Sequence, residues 1–270
     1  MRTFTTRLNR LPLILTVVFV AVVFAAIAQT KQSSRTVQIG EFHAQVHVSL
    51  HVGDTLRVVL PSTPSTGYSW HAAGGTSLLK SIGSTNVSAA KSSVGAPGRQ
   101  TLAFTAEAPG ASDLVLDYSR PWEKGKPAAR QYMLQVTVDD GTNSTASPVV
   151  IDGSAPVGTY SGKLPCADCS GLLTSIALYA SGSAQSPVGY YVRTSTYLGA
   201  PKGNVIFIEA GNYLLQRGTP ANPDWTVYTL QSNTSDHLEN YRLEGDALVP
   251  LDSDDKPIQS PFNMRLKLES

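Results

Sequence analysis

Charge of either sign is scarce in this sequence, and the little that is present is balanced. Charged residues make up 15% of the 270 residues, and the formal net charge at pH 7 is +1. No basic field is available to recruit nucleic acid or a membrane surface, and no acidic field is available to recruit cations. Nucleic acid is therefore not an expected partner.

Sustained helical periodicity is also missing after residue 28. The chain has 22 glycines and 17 prolines, which separate many short runs of alternating apolar and polar residues. This pattern is typical of short strands joined by tight turns. The sequence therefore predicts an all-β protein, with enough residues after the N-terminal segment for two small β domains.

A recognisable catalytic constellation is missing as well. His71 and His237 stand alone, no serine lies in a G-x-S-x-G turn, and neither cysteine has a base nearby in the sequence. Only a triad assembled in three dimensions would escape this test. We expect a protein that is not an enzyme and that requires no cofactor.

Cysteine is limited to Cys166 and Cys169. In an oxidising compartment such a pair has four interpretations: a structural disulfide, a redox pair, a thiolate site for a soft metal such as copper, or a redox-sensing switch. Leu172, Thr174 and Ile176 alternate after the pair and indicate a strand, whereas a thioredoxin-like enzyme would have a helix there. A structural or sensing disulfide is the favoured interpretation, copper is the weaker alternative, and no other metal site is expected.

The N-terminal segment has the features of a secretory signal peptide. Arg2, Arg7 and Arg10 precede an apolar run at residues 11–28, which ends in small residues. Cleavage before Gln29 would release a periplasmic or secreted protein, and the alternative is an inner-membrane anchor formed by residues 11–28. No cysteine stands near the cleavage site, so the usual bacterial lipid anchor is not available.

Three histidines at steps of four, His43, His47 and His51, would suggest a metal-binding face on a helix. The residues around them alternate with a period of two, as in a strand. Residues four apart on a strand are separated by about 13 Å, too far to share one ion. We therefore expect a solvated strand face, followed by a turn at Val52-Gly53-Asp54.

Two proline-containing stretches join strand-like runs. The first, TPSTGYSW at residues 63–70, combines Pro64, which fixes its own φ, with Gly67, which allows a positive φ or the close approach of another chain. The second is Arg120-Pro121-Trp122. A proline-fixed loop that presents Arg and Trp has the composition of a binding hot spot.

The aromatic and basic residues of these stretches have different expected locations. We expect Trp70 to lie in the core, because it continues a strand, and Trp122 to be exposed, because it follows a proline in a loop. Tyr68 suits either the core or an exposed position. Arg120 has two interpretations, which are direct contact with a partner and bracing of its own loop through a backbone carbonyl.

The two stretches, with a glycine-rich segment between them, resemble the signature of the chagasin-like inhibitors of papain-type cysteine proteases. The family pattern is an N-P-[ST]-T-G-[YF]-x-W loop, a Gly-rich loop and an R-P-W loop, carried by an immunoglobulin-like β-sandwich. The match covers residues 37–138, with Thr63 in place of the usual Asn and Pro97 inside the glycine loop. The resemblance implies that three loops plug a protease active-site cleft through Thr63, Pro64, Ser65, Thr66, Gly67, Tyr68, Gly95, Ala96, Pro97, Gly98, Arg120, Pro121 and Trp122.

The second half of the chain begins after a change in composition. Residues 139–156 lose the alternation and are expected to be a linker. Strand-like runs then resume, among them 205–208 and 241–251, and predict a small β-barrel. The segment GTYSGKLPCADCSG at residues 158–171 resembles the N-terminal domain of the NlpE family, envelope lipoproteins linked to copper tolerance and stress signalling. The resemblance implies a domain that binds an envelope partner or senses envelope conditions.

Together these features predict a signal peptide (1–28), an immunoglobulin-like β-sandwich (37–138), a linker (139–156) and a small β-barrel (157–270). The predicted function is reversible inhibition of papain-like cysteine proteases. The alternative is an envelope stress or copper-handling protein whose sandwich is only a docking module. Because the linker has few residues able to pack, no large fixed interface between the two domains is expected.

Overall fold

The computed structural model describes residues 35–42, 46–88, 98–140, 149–151, 155–182, 187–199, 205–234 and 237–269. Ser33–Ser270 form one compact unit. The expected signal peptide or membrane anchor lies outside the described residues. Within the ranges given above, no helix has the length and the hydrophobicity that a membrane crossing requires.

Strands make up nearly all of the regular structure in the described part of the chain, which confirms the all-β prediction. The first domain contains β1 (Arg35–Ile39), β2 (Val46–His51), β3 (Thr55–Ser62), β4 (Ser69–Gly74), β5 (Leu79–Ser88), β6 (Gly98–Ala106), β7 (Gly110–Ser119), β8 (Arg130–Asp139) and β9 (Val149–Ile151). The second domain contains β10 (Gly158–Leu164), β11 (Gly171–Ala180), β12 (Val188–Leu198), β13 (Val205–Arg217), β14 (Thr226–Ser232), β15 (Leu238–Glu244), β16 (Ala247–Pro250) and β17 (Leu266–Leu268).

Strands β1–β9 form a β-sandwich. One sheet has the order β1-β3-β6-β5 and the other has the order β4-β7-β8-β2-β9. Burial alternates along the strands, so that on β8 the side chains of Tyr132, Leu134, Val136 and Val138 point into the core. Each sheet therefore buries one face against the other, which is the arrangement that an alternating sequence favours.

Strands β10–β17 close into an eight-stranded barrel, as the sequence predicts. Consecutive strands pair antiparallel, β17 returns to β10, and β12 pairs with both β11 and β13. One end of the interior is filled by a buried cluster that includes Tyr160, Ile176, Tyr191 and Leu266. Closure satisfies the backbone groups that short strands would otherwise leave at an open edge.

The sandwich and the barrel share one continuous sheet. The first half of β13 runs parallel to β1, with Ile208 opposite Val37, and β1 in turn runs parallel to β3. On the outer wall of the barrel, Val192, Ile208 and Ala210 are buried in the sandwich core. The expectation of no large fixed interface is therefore wrong. Composition of the linker could not reveal this interface, because β1 and β13 make it and both are distant from the linker in sequence.

Two local expectations also differ from the structure. Strand β9 lies inside the segment expected to be a linker; it pairs with β2, and Val149 is fully buried. His51, expected on a solvated face, is buried at the end of β2, where the alternation of burial breaks, and it lies 3.4 Å from Asp139. His47 is hydrogen-bonded to Thr137 at 2.7 Å, and His43 lies outside the described residues.

Candidate functional site

The first loop is a tight turn that carries the chain from β3 in one sheet to β4 in the other. Its centre is the 3₁₀ turn Pro64–Thr66, in which Thr66 N and Thr66 Oγ1 donate to Thr63 O at 3.0 and 2.6 Å. Gly67 follows with a φ of +79°, and its N–H donates to Pro64 O at 3.0 Å. Glycine adopts this left-handed conformation without strain. The turn is therefore fixed by its own backbone while Pro64, Ser65 and Thr66 are exposed.

The third loop begins at Arg120 and is braced against the first. Arg120 Nε donates to Thr66 O at 3.1 Å, and the guanidinium carbon lies 4.5 Å from the centre of the Tyr68 ring. Arg120 thus bonds a backbone carbonyl, as one of its two interpretations proposed. That carbonyl, however, belongs to the neighbouring loop. The two loops form one interlocked surface, and we call residues 63–68 and 120–122 the loop edge.

Glu123 forms two ion pairs within the third loop. Glu123 Oε1 lies 3.3 Å from Lys126 Nζ and 3.3 Å from Arg120 Nη1. The pKa of Glu123 is lowered, above all by the hydrogen bond from Lys126. The hydrogen bond from Arg120 and the charges of both side chains add to this effect, and together they outweigh desolvation, which acts to raise the pKa. The carboxylate is therefore ionised at neutral pH, and both ion pairs hold the loop that carries Arg120.

Trp122 lies over the first loop. It is 66% exposed, which confirms the expected exposure. The indole packs on the bare backbone of Gly67, because a Cβ built at Gly67 would lie only 2.3 Å from Trp122 Cη2. Glycine at this position is therefore required by both the backbone conformation and the neighbouring ring.

The loop edge rests on a layer of packed aromatic side chains. The ring centre of Tyr118 lies 5.3 Å from that of Tyr68 and 5.0 Å from that of Trp70. Thr63 N donates to Tyr118 OH at 2.9 Å, and Trp70 Nε1 donates to Pro61 O at 2.9 Å. Trp70 is only 2% exposed, which confirms its expected place in the core, and Tyr68 is half-buried.

Gln100 supports the same region, although no sequence motif singles it out. It is buried on β6; its Oε1 accepts a hydrogen bond from Trp70 N at 2.7 Å, and its Nε2 donates to Trp70 O at 2.9 Å. The side chain thus satisfies both backbone groups of Trp70 across the two sheets. Its signal in the sequence is a polar residue in phase with Leu102 and Phe104 on the inward face of a strand.

The glycine-rich middle loop ends beside the first loop. Gly98 begins β6 and lies opposite Ser62, the last residue of β3. Gly95, Ala96 and Pro97 lie outside the described residues. The root of the middle loop is therefore at the end of the sandwich that carries the loop edge.

Cys166 and Cys169 form a disulfide in the loop that joins β10 to β11. This agrees with the favoured interpretation of the pair. A closed disulfide offers no thiolate to a soft metal. Nor does the described part of the chain contain a group of three or more His, Cys, Asp or Glu side chains that could hold a metal ion.

The β-sandwich thus carries two interlocked, proline-containing loops and an exposed tryptophan at one end. The family model of the chagasin family peptidase inhibitor I42 matches residues 49–136. Amoebiasin-2 of Entamoeba histolytica is 32% identical over 101 residues, which cover 36% of this chain and 80% of that protein. The chain belongs to the chagasin family of peptidase inhibitors.

The second domain also matches a known family. The model of the NlpE N-terminal domain matches residues 160–261. Lipoprotein NlpE of Escherichia coli is 33% identical over 109 residues, which cover 40% of this chain and 39% of that protein. The chain thus spans 39% of the length of that lipoprotein, and both resemblances seen in the sequence are confirmed.

Solved structures that are similar to part of the chain include the following two. The cysteine protease inhibitor EhICP2 from Entamoeba histolytica is 26% identical with a TM-score of 0.35, over 38% of this chain and 96% of that one. PbICP-C, solved in complex with falcipain-2, is 24% identical with a TM-score of 0.26, over 40% of this chain and 92% of that one.

Proposed function

We propose that the first domain inhibits papain-like cysteine proteases reversibly by inserting the loop edge into the active-site cleft. The observation that carries this proposal is the interlocking of the first and third loops at one end of the sandwich, through Arg120 and Thr66 and through Trp122 and Gly67. Family membership supports it, because the matched model describes peptidase inhibitors. The middle loop, with Gly95, Ala96, Pro97 and Gly98, would supply the third contact.

The proposed mechanism uses backbone as the plug. Thr66 and Gly67 bring main chain near the catalytic thiol without placing a scissile bond there. The turn is already held by hydrogen bonds to Thr63 O and Pro64 O, so little conformational entropy is lost on docking. Trp122 supplies the large exposed aromatic surface that anchors many interfaces, and Arg120 positions the Thr66 carbonyl while it contacts the enzyme.

We further propose a periplasmic location after removal of residues 1–28, and a non-enzymatic binding or sensing role for the second domain. The disulfide supports an extracytoplasmic location, because such bonds persist in oxidising compartments. Similarity to lipoprotein NlpE also supports a location outside the cytoplasm. The alternative is an envelope stress or copper-handling protein in which the sandwich serves only as a docking module.

Steady-state kinetics with papain tests the proposed inhibition. The full-length protein should inhibit papain competitively with one molecule per active site, and activity should return on dilution. A chymotrypsin-like serine protease should be unaffected, since its site has no cleft of the papain type. Specific interfaces of this kind have dissociation constants well below about 10 μM. If papain retains full activity at protein concentrations up to about 10 μM, the docking-module alternative replaces the inhibitor proposal.

A further inference from the structure

The barrel has a polar cavity that the first domain and its loops do not explain. One end of the barrel interior is packed with apolar and aromatic side chains. At the other end, where the disulfide loop joins β10 to β11, a cavity of about 360 Å³ opens between Leu164, Tyr197 and Phe207. We call this space the mouth cavity. Its volume is within the range of small-molecule sites in proteins.

The floor of the mouth cavity holds an ion-pair cluster. Arg193 Nη1 donates to Glu239 Oε2 at 2.5 Å, and Arg193 Nη2 donates to Glu209 Oε1. Tyr191 OH donates to the same Glu209 oxygen at 3.2 Å, and Tyr241 OH donates to the same Glu239 oxygen at 3.0 Å. These contacts engage one oxygen of each carboxylate. A carboxylate has about four lone-pair sites, so Glu209 and Glu239 keep acceptor capacity beyond these contacts.

The charge of this cluster is not balanced. Two carboxylates face one guanidinium, and His237 also acts on Glu239, so with a neutral imidazole the floor carries one net negative charge. Burial acts to raise the pKa of Glu239, but the hydrogen bond and the charge of Arg193 outweigh it and the pKa is lowered. Both effects of Arg193 keep the carboxylate ionised in the neutral range. An anionic ligand would meet repulsion here, whereas a cation would complete the charge balance.

An independent observation is the hydroxyl of Thr174. Thr174 is only 4% exposed and lines the mouth cavity from β11, on the inward face shared with Leu172 and Ile176. Its Oγ1 has no hydrogen-bond partner among the described residues. A buried hydroxyl without a partner is costly, and a bound group or an ordered water usually satisfies it.

We propose that the mouth cavity binds a small organic cation, a primary amine carried on an apolar body. An ammonium group has three hydrogens to donate, and the floor offers acceptors in Glu209, Glu239 and Thr174. The apolar body would contact the rim formed by Leu164, Tyr197 and Phe207. An organic cation is favoured over a metal ion because the described residues provide no set of three metal-ligating side chains.

The head group of the ligand is tested with three probes that share one ring. 2-Phenylethylamine, 2-phenylethanol and 3-phenylpropanoate are titrated into the full-length protein at pH 7 and followed by calorimetry and by the thermal midpoint. The amine should bind saturably, one per chain, and raise the midpoint, with the alcohol and the carboxylate at least about tenfold weaker. Equal binding of amine and alcohol, or no saturable binding of amine up to about 10 mM, would overturn the proposal.

Two substitutions locate the site. Thr174→Val keeps the side-chain shape and removes an unpartnered hydroxyl, so folding should be at least as stable while amine affinity falls at least about fivefold. Glu239→Gln should lower amine affinity more and should not affect binding of the alcohol. The matched controls are Thr194→Val and Glu244→Gln. Thr194 lies on the outer face of β12. Glu244 lies on the same strand as Glu239, and it pairs with Arg242 and Arg265 instead of facing the mouth cavity. Wild-type affinity in both cavity variants would place the amine elsewhere and contradict the assignment.

Discussion

Trp122 and Gly67 determine the shape of the loop edge. The indole is exposed yet seated on the glycine backbone, and Arg120 fixes the distance between the two loops through Thr66 O. A rigid aromatic side chain that is already in place loses little conformational freedom on binding. The contribution of Trp122 should therefore appear in the affinity for the protease rather than in the stability of the fold.

The first prediction concerns Trp122. Trp122→Ala should weaken papain inhibition by about 2 kcal/mol, roughly thirtyfold, because it removes a binding anchor. The thermal midpoint should hardly move, since the ring is largely exposed. Phe262→Ala is the matched control, because Phe262 is 67% exposed on the barrel and should leave both quantities unchanged. A sharp fall in the midpoint of Trp122→Ala would show that the ring holds the fold together.

The second prediction separates backbone strain from crowding at Gly67. Gly53 also has a positive φ, +93°, but a Cβ there would meet nothing within 4 Å. Gly53→Ala should therefore cost only the strain of about 1 kcal/mol, whereas Gly67→Ala must also displace Trp122. Only Gly67→Ala should weaken papain inhibition, by at least about tenfold. Equal inhibition constants for Gly67→Ala and the wild type would contradict the backbone-plug mechanism.

The residues of the loop edge could be predicted from the sequence because each loop is a local motif. The contacts between the loops could not, since Arg120 and Thr66 are 54 residues apart. The same holds for Trp122 on Gly67 and for Gln100 on Trp70. Such pairs depend on how the two sheets are stacked, and one sequence contains no record of that stacking.

At the scale of elements, strands with strong alternation were predictable, and their ends were not. The run 241–251 was expected to be one strand, but it is the hairpin β15–β16, which turns at Gly245 with a φ of +61°. The run 205–208 continues as β13 to Arg217, through Gly211. A Cβ at Gly211 would lie 2.3 Å from Gln231 O, so this glycine allows close packing of β14 rather than ending a strand.

The third prediction concerns the disulfide loop between β10 and β11. Closing so short a loop stabilises by about 2 kcal/mol in the chain-entropy model. Cys166→Ser with Cys169→Ser should therefore fold but melt at a lower temperature, with papain inhibition unchanged. Thiol titration of unfolded, unreduced wild-type protein should find no free thiol. Two reactive thiols per chain would favour the copper interpretation instead.

At the scale of the whole molecule, the shared sheet makes the two domains one folding unit. Strand β1 is hydrogen-bonded to β3 on one side and to β13 of the barrel on the other. Barrel residues complete the sandwich core, among them Val192, Ile208 and Ala210. We therefore expect the sandwich and the barrel to unfold together, in a single cooperative transition.

The fourth prediction tests this coupling with two residues on the outer face of β13. Ile208 is 1% exposed in the interface, whereas Leu214 lies beyond it and is 42% exposed. Ile208→Ala should cost about 2–5 kcal/mol and lower the midpoint of both domains together, measured by calorimetry and by the fluorescence of Trp70 in a chain that also carries Trp122→Phe and Trp225→Phe. Leu214→Ala should have little effect. Loss of barrel signal while Trp70 fluorescence stays native would show that the domains unfold independently.

The proposed inhibition requires the loop edge to occupy the catalytic cleft of a papain-like protease. Competition for papain between the full-length protein and leupeptin, a small active-site peptide aldehyde, tests it most directly. Mutual exclusion is expected: the apparent dissociation constant of the protein should rise linearly with the leupeptin concentration, and no ternary complex should form. A dissociation constant that does not change with leupeptin would place the protein outside the cleft and contradict the proposed mode of inhibition.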